Sequence, residues 1–289
     1  MRGPLDGLGK TYDCVLGNER RVLDARWVPG SSDGFSVAIA HYNRSGRIHQ
    51  PLLNLMGHPG VREVVIVDDG SRGEEYERLA EFVERLDGRE FVKVHRREKN
   101  CGALISKMEA VERCESEWVL VLDSDNTAFW HYLDQLQAIP RRRDDTIYGA
   151  AWAFPFFPFH EFAGVSLDFT MACETARSGL LKKAYMINDG NYLVPRERYV
   201  RSAGRFAGLR SDVADVMLFN YLWLTEGGRL ELIPGTSYFH RVDATSFWMQ
   251  TKDASRARVL ELFARMEGDL TCDEAYLTSL MAGPDDVQK

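Results

Sequence analysis

Cysteine is scarce in this sequence, and its positions follow no regular spacing. Five cysteines occur among 289 residues (Cys14, Cys101, Cys114, Cys173 and Cys272). Structural zinc sites and Cys-x-x-Cys redox centres need closely spaced cysteines, whereas disulfide frameworks use dense, even-numbered sets. The sequence therefore predicts neither a zinc site nor a disulfide framework, and it favours a reducing, cytoplasmic environment.

Long apolar runs and an excess of basic residues are also missing. No stretch approaches the roughly 20 apolar residues of a transmembrane helix, and the N-terminal MRGPLDGLGK lacks the apolar core of a secretory signal. Lysine and arginine number 36 against 43 aspartates and glutamates, a net charge of -7. Because nucleic acids and anionic membranes attract basic surfaces, we expect a soluble protein that binds no nucleic acid. The sequence leaves peripheral membrane association and a homo-oligomer open.

Short β-branched runs alternate with segments of helical spacing from Phe35 onward. The expected strands are 36–40, 64–67, 91–94 and 118–122, and the expected helices between them are 52–56, 74–86 and 103–114. Later segments predict a helix at 211–225, a strand at 229–233 and a helix at 254–266. This alternation is typical of an α/β fold with one Rossmann-like, mixed but mainly parallel sheet flanked by helices.

Polar clusters follow three of the predicted strands. They are Tyr42-Asn43-Arg44, Asp68-Asp69-Gly70-Ser71 and Asp123-Ser124-Asp125-Asn126. Ligands of such sheets bind beyond the carboxyl ends of the strands, where all three clusters are expected. Asp123 and Asp125 are one residue apart, so in an extended chain their carboxylates point the same way and suit Mg²⁺ or Mn²⁺. The alternative reading is a polar turn, since Asp, Ser and Asn are common turn residues.

Other polar residues allow a functional and a structural reading each. Asp69 can accept a nucleobase N–H or cap a turn. Lys107, on the helix after Asn100-Cys101-Gly102, can approach a diphosphate or lie at the surface. His240 can bind a metal or serve a structural purpose. Asp212 and Asp215, at the start of a predicted helix, can act as a general base or cap that helix.

Six strings of the sequence, taken in order, resemble the family 2 glycosyltransferases, which have the GT-A fold. They run from about Phe35 to about Trp248: VAIAHYNRSGRI, VREVVIVDDGSRG, NCGALISK, ERCESEWVLVLDSDN, DGNYLVPRERYVRSAGRF and SYFHRVDATSF. The resemblance implies transfer of a sugar from a nucleotide-diphosphate sugar, with a UDP-sugar favoured, to a glycan or other hydroxyl acceptor. It further implies inversion at the anomeric carbon and dependence on Mn²⁺ or Mg²⁺.

The resemblance also implies roles for matching positions. Tyr42 and Asp69 would hold the nucleobase, and Lys107 would lie near the nucleotide. Asp125 would be the principal metal ligand, with Asp123 by the ribose or the metal and His240 as an additional ligand. The full donor-site set implied is Tyr42, Asn43, Arg44, Asp69, Asn100, Gly102, Lys107, Asp123, Ser124 and Asp125.

The chain departs from the family pattern at the catalytic base, which is usually the Asp of a Glu-Asp pair that opens the late helix. Here Ser211-Asp212 or Ala214-Asp215 takes that place, and the spacing to Gly227-Gly228 fits Asp215 slightly better. His41 also stands where the family often has a small hydroxyl residue. The base therefore remains either Asp215 or Asp212.

The expected organisation follows the family. Residues 1–34 would be an N-terminal extension, 35–126 the nucleotide-sugar-binding half, 127–270 the acceptor-binding half of the same GT-A domain, and 271–289 a C-terminal tail. Two alternatives stay open. One is a sugar nucleotidyltransferase, although SVAIAHYNRSG lacks the Gly-rich, basic phosphate loop of that class. The other is a catalytically silent sugar- or nucleotide-binding protein with the same fold.

Overall fold

Twelve strands are found in the computed structural model, which describes residues 34–178, 187–209, 214–242 and 251–281. In chain order they are β1 Phe35–His41, β2 Val61–Asp68, β3 Val92–Arg96, β4 Trp118–Asp123, β5 Thr127–Ala128, β6 Thr146–Ala150, β7 Trp152–Phe154, β8 Phe157–Pro158, β9 Ser166–Leu167, β10 Tyr192–Pro195, β11 Arg229–Ile233 and β12 Tyr238–Phe239.

Eight of these strands form the main sheet, in the order β3-β2-β1-β4-β10-β6-β11-β9. Strands β3, β2, β1 and β4 are parallel neighbours, and β11 is parallel to β6. Strand β10 is antiparallel to both β4 and β6, and β9 is antiparallel to β11. The predicted α/β fold with a mixed, mainly parallel sheet is confirmed.

Helices flank this sheet. They are α1 His49–Leu55, α2 Gly73–Glu84, α3 Ala103–Glu112, α4 Trp130–Gln137, α5 Phe169–Arg177, α6 Arg196–Gly204, α7 Asp215–Thr225, α8 Lys252–Glu267 and α9 Glu274–Met281. Helix α3 packs against β1 and β2 on one side and against α6 on the other. No described helix has the length and apolar character needed to cross a membrane.

The central strands are apolar on both faces, as expected of a sheet covered by helices on each side. In β2, Val64, Val65, Ile66 and Val67 are all fully buried. Each such side chain contributes roughly 1.5–3 kcal/mol by leaving water. Because Val64–Val67 is an apolar run, the polar residues Asp68 and Asp69 that follow it mark the end of the strand, and both remain buried.

A second, smaller sheet was not predicted from the sequence. It has the strand order β5-β12-β7-β8. Strand β5 directly follows the Asp123–Asn126 cluster, and its Thr127 is paired with Phe239 of β12 in antiparallel register. The small sheet therefore brings the segment after residue 239 to the end of β4.

Candidate active site

The three polar clusters lie at the same edge of the main sheet, as the sequence predicts. In the parallel register His41 is opposite Asp68, and Ala40 is opposite both Val67 and Asp123. His41 is buried, and its Nδ1 lies 2.9 Å from Oδ2 of Asp68. The ends of β1, β2 and β4 are therefore level, and the residues that follow them lie together at one edge of the sheet.

Asp69 joins the turn after β2 to the loop before α3. Its Oδ1 accepts a hydrogen bond from the backbone N–H of Cys101 at 2.9 Å, and its Oδ2 accepts one from Gly102 at 2.9 Å. Burial raises the pKa of Asp69, although these hydrogen bonds and Arg97 oppose the rise. The side chain thus has a structural use. Arg97 Nε also lies 3.6 Å from Oδ1, and a carboxylate with about four lone-pair sites can still accept a further hydrogen bond beside these partners.

The Tyr42-Asn43-Arg44 cluster reaches across to the same turn. Asn43 has a φ of 50°, in the left-handed region. Its backbone N–H donates to Oγ of Ser71 at 2.8 Å, and its Oδ1 accepts from the N–H of Arg72 at 2.9 Å. Tyr42 is 45% exposed, an unusual position for a tyrosine at the end of a buried strand. Its ring is therefore accessible to a ligand at this edge.

Arg44 lies against the acidic cluster after β4. Its Nη1 is 2.6 Å from Oδ2 of Asp125, and both side chains are largely shielded from solvent. Burial raises the pKa of Asp125, the guanidinium of Arg44 opposes that rise, and the charge of Asp123 adds to it. Ser124, between the two aspartates, is buried. Two other predicted donor-site residues lie in the loop before α3: Asn100 is exposed, and Gly102, two residues later, is buried.

Lys107 connects the acidic cluster to the late helix. Its Nζ lies 3.0 Å from Oδ1 of Asp123 and 3.4 Å from Oδ2 of Asp215. Burial disfavours the charged amine, but the two carboxylates outweigh burial and raise the pKa of Lys107. Ala214, immediately before α7, has a φ of 56°, a left-handed value that is uncommon outside glycine. Asp215 is thereby placed beside the end of β4.

Replacement of Lys107 by methionine is expected to lower the free energy of unfolding by about 3 kcal/mol, because two largely buried carboxylates lose their cation. Lys107 lowers the pKa of Asp123 against the opposing effect of burial. The ion pair therefore stabilises the fold above the unfolded-state pKa of about 4, and this stabilisation is lost as the pH falls through the lower folded-state value. Chemical denaturation should show that the difference in free energy of unfolding between wild type and Lys107→Met is smaller at acidic pH than at pH 7.

Lys99→Met is the matched control for this experiment, because Lys99 is exposed on the adjoining loop. Surface substitutions of this kind change stability by less than about 0.5 kcal/mol. Equal stability of Lys107→Met and Lys99→Met at pH 7 would contradict the assigned ion pairs.

Two asparagines, Asn126 and Asn191, surround Asp123, and the sequence alone predicts a role for neither of them. The backbone N–H of Asp123 donates to Oδ1 of Asn191 at 2.9 Å. Its Oδ2 accepts from Nδ2 of Asn191 and from Nδ2 of Asn126, each at 3.2 Å. With Lys107 on the other oxygen, both oxygens of this carboxylate have partners. Burial opposes ionisation, and these groups hold the pKa of Asp123 below its ordinary value.

His240 lies next to this network because β12 pairs with β5. Its backbone N–H donates to the carbonyl of Phe154 at 2.7 Å, and the ring of Phe157 meets the imidazole edge-on. Burial lowers the pKa of His240, and the charge of Asp123 opposes this only in part. The ring is therefore neutral near pH 7, the form that binds metal ions.

Asp189 and Tyr238 also belong to the site and were missed from the sequence. The hydroxyl of Tyr238 donates to Oδ1 of Asp189 at 2.9 Å and lies 3.1 Å from Nδ1 of His240. Burial raises the pKa of Asp189 to about 6, against hydrogen bonds from Asn191 and Tyr238. The Asp189-Gly190-Asn191 string was the available signal: three turn-forming residues directly before a buried strand.

The structure brings Asp123, Lys107, Asp215 and His240 into one neighbourhood, with Asp125 and Arg44 beside them. Asp212 lies outside the described residues. Within the described part of the chain, no three His, Cys, Asp or Glu side chains are already arranged to hold a metal ion. The ligand set Asp125, Asp123 and His240 therefore stays a prediction. Its donor atoms, carboxylate oxygens and a neutral imidazole, fit Mn²⁺ or Mg²⁺ chemically.

Comparison with known proteins agrees with the resemblance seen in the sequence. The family described as "Glycosyl transferase family 2" matches residues 36–163. No curated protein sequence matches the chain. The family resemblance is confirmed over this segment, which contains the ends of β1, β2 and β4.

Solved structures share the fold. TarS 1-349 from S. aureus in complex with UDP aligns with a TM-score of 0.56 at 18% identity, over 88% of this chain and 70% of that one. The mannosyltransferase PcManGT from Pyrobaculum calidifontis, in complex with GDP-Man and Mn²⁺, gives 0.55 at 16% identity, over 94% and 79%. GalNAc-T7 with UDP, GalNAc and Mn²⁺ gives 0.54 at 16% identity, over 79% of this chain and about half (48%) of that one.

Proposed function

We propose that this chain, whose residues 36–163 match the family described as "Glycosyl transferase family 2", transfers a sugar from a nucleotide-diphosphate sugar to an acceptor hydroxyl. One observation carries the proposal furthest: Lys107 lies between Asp123, at the donor-side end of β4, and Asp215, at the start of α7. A single buried cation thus fixes the distance between a donor-binding residue and a candidate base.

The proposed reaction is an inverting displacement. Asp215 accepts the proton of the acceptor hydroxyl, whose oxygen attacks the anomeric carbon from the face opposite the nucleotide. The bond between that carbon and the diphosphate oxygen breaks, and its electron pair leaves with the nucleoside diphosphate. Inversion comes from the resemblance to the family, and the contact of Asp215 with Lys107, which also binds Asp123, supports Asp215 as the base.

Asp125 and His240, with Asp123 beside them, would hold a divalent cation that neutralises charge on the leaving diphosphate. Two solved structures of the same fold, PcManGT and GalNAc-T7, contain Mn²⁺ together with a nucleotide or nucleotide sugar. Arg44 neutralises Asp125 in this structure, so we propose that its guanidinium moves onto the diphosphate when the cation takes its place. Arginine suits this exchange because its guanidinium recognises phosphate and carboxylate groups alike.

UDP is the proposed nucleotide. Asp69 is fixed by the N–H groups of Cys101 and Gly102 and retains acceptor capacity for the imide N–H of uracil. The exposed ring of Tyr42 at the same edge offers a face on which a base can stack. Two structures of the same fold, those of TarS and GalNAc-T7, contain UDP, which supports this choice.

Thermal-shift measurements test the donor assignment. With Mn²⁺ present, UDP at about 100 times its Kd should stabilise the protein by roughly 2.7 kcal/mol and raise Tm by about 5 °C. GDP and dTDP at the same concentration should raise Tm less, and EDTA should abolish the UDP shift. A larger shift with GDP would overturn the choice of UDP but leave the transferase proposal intact.

Turnover of the donor separates the proposed function from its alternatives. Release of UDP from a UDP-sugar in the presence of Mn²⁺ is expected from a transferase, because water can replace the acceptor slowly. If the protein binds UDP-sugars but releases no UDP, with or without candidate acceptors, it is instead a silent binding protein. Release of pyrophosphate on incubation with UTP and a sugar phosphate would identify a nucleotidyltransferase.

A further inference from the structure

A chain of buried polar groups runs from Asp189 through Tyr238 to His240. We propose that Asp189 and Tyr238 are positioning residues that set the tautomer of His240, with the proton on Nδ1 and the lone pair on Nε2. The inference rests on the proposed function in one respect, since it gives the Nε2 lone pair to the divalent cation. The direction of each hydrogen bond in the chain follows from the geometry of its neighbours.

The first link has Tyr238 as donor. The backbone N–H of Asn191 donates to Oδ1 of Asp189 at 3.1 Å, so this oxygen acts as an acceptor. The same Oδ1 lies 2.9 Å from the hydroxyl of Tyr238. The single hydroxyl proton of Tyr238 therefore points to Asp189.

The second link has His240 as donor. Because the proton of Tyr238 is already used, its oxygen can only accept from Nδ1 of His240, 3.1 Å away. The one competing group near Nδ1 is Nδ2 of Asn126, at the longer distance of 3.4 Å. If Asn126 donated to Nδ1, the proton of His240 would have to sit on Nε2 instead.

The orientation of Asn126 excludes that competing arrangement. Its Oδ1 accepts from the backbone N–H of Arg241 at 2.9 Å, which fixes which end of the amide is nitrogen. The two protons on Nδ2 are used by Oδ2 of Asp123 and Oδ1 of Asn191, both at 3.2 Å. No proton of Asn126 is left for His240, so Nδ1 carries its own proton and donates it to Tyr238.

Burial makes this arrangement rigid. Tyr238 is 1% exposed and Asp189 is 6% exposed. Tyr238 is also held in β12 between β5 and β7. Groups hydrogen-bonded to a metal-bound histidine fix its tautomer and ring direction, and their loss typically lowers metal affinity by 10- to 100-fold. The Asp189-Tyr238 pair is placed to do this for His240.

Tyr238→Phe tests the proposal because it removes only the hydroxyl. The variant is expected to bind Mn²⁺ about 10- to 100-fold more weakly than the wild type, by calorimetric titration of the full chain with MnCl₂ and UDP. The matched control is Tyr221→Phe. Tyr221 is also fully buried, and its hydroxyl donates to the carbonyl of Leu270, away from His240. Tyr221→Phe should retain the wild-type affinity for Mn²⁺.

The tautomer itself can be read without a metal. In ¹⁵N-labelled protein, long-range ¹H–¹⁵N spectra distinguish the protonated from the unprotonated ring nitrogen, and His240→Gln identifies the signals of His240. Wild type should show a protonated Nδ1, and Tyr238→Phe should lose that preference. Asp189→Asn keeps an acceptor oxygen for both Asn191 and Tyr238, so it should preserve the tautomer and bind Mn²⁺ within about 3-fold of wild type.

The two readouts separate this inference from the proposed function. A wild-type His240 protonated on Nε2, or an unchanged tautomer and Mn²⁺ affinity in Tyr238→Phe, would overturn the inference. If wild type shows the expected tautomer but binds no Mn²⁺, the positioning of His240 stands and its role as a metal ligand fails. Equal loss of Mn²⁺ binding in Tyr221→Phe would show that Tyr238→Phe acts through general destabilisation and would also overturn the inference.

Discussion

Asp215→Asn is expected to lower kcat for sugar transfer by about 1000-fold, with little change in donor affinity. The amide cannot accept the acceptor proton, and general base catalysis contributes about 10²- to 10⁴-fold. Its Oδ1 can still accept from Lys107, which now lies 3.4 Å from the carboxylate, so the fold should be preserved. Steady-state kinetics with a saturating acceptor, together with a UDP thermal shift, measure the two quantities separately.

Asp212→Asn is the matched control for Asp215→Asn. Both aspartates match the family position of the base, and Asp215 contacts Lys107. We expect Asp212→Asn to retain kcat within about 3-fold, because the spacing to Gly227-Gly228 fits Asp215 better as the base. Loss of kcat in Asp212→Asn, with activity retained in Asp215→Asn, would transfer the role of base to Asp212.

Asp125→Asn is expected to reduce kcat/KM by about 1000-fold and to remove the Mn²⁺ dependence of UDP binding. The variant replaces a charged ligand with a neutral amide, a weak partner for a hard divalent cation. Removal of one group that stabilises the leaving charge typically costs 10²- to 10³-fold in rate, and loss of donor affinity adds to this. Calorimetric titration with UDP in Mn²⁺ and in EDTA, beside initial rates, provides the measurement.

Residual UDP binding by Asp125→Asn should no longer depend on the cation, because the neutral amide holds neither the cation nor the guanidinium of Arg44 as strongly as the carboxylate does. Asp144→Asn serves as the control, since Asp144 is exposed before β6, at the opposite end of the sheet. Wild-type Mn²⁺ dependence in Asp125→Asn would remove this residue from the ligand set.

The parallel half of the fold could be predicted from the sequence because its signals are local. Strands such as Val64–Val67 are apolar and β-branched, and each ends where the apolar run gives way to polar residues. The predicted β1, β2, β3 and β4 and the helices between them are all present. The prediction that their polar ends share one edge follows from parallel pairing and is also confirmed.

The rest of the site depends on long-range pairing that leaves little trace in the sequence. Strand β10 is inserted antiparallel to β4, and this alone brings Asn191 to Asp123, 68 residues away. Strands β5 and β12 have two residues each, too short to show an alternating pattern. Their pairing places His240 beside Asn126, so the sequence could nominate the histidine but not its neighbours.

Gly70 limits which segments of this fold could be exchanged with a related protein in order to alter donor selectivity. Its φ is 73°, and a Cβ at this position would lie 2.6 Å from the backbone carbon of Lys99. Together with the bonds from Asp69 to Cys101 and Gly102, this close approach makes the turn after β2 and the loop before α3 a single structural unit. A chimaera must therefore transplant residues 68–72 and 97–102 as a pair, because either segment alone would meet a foreign backbone.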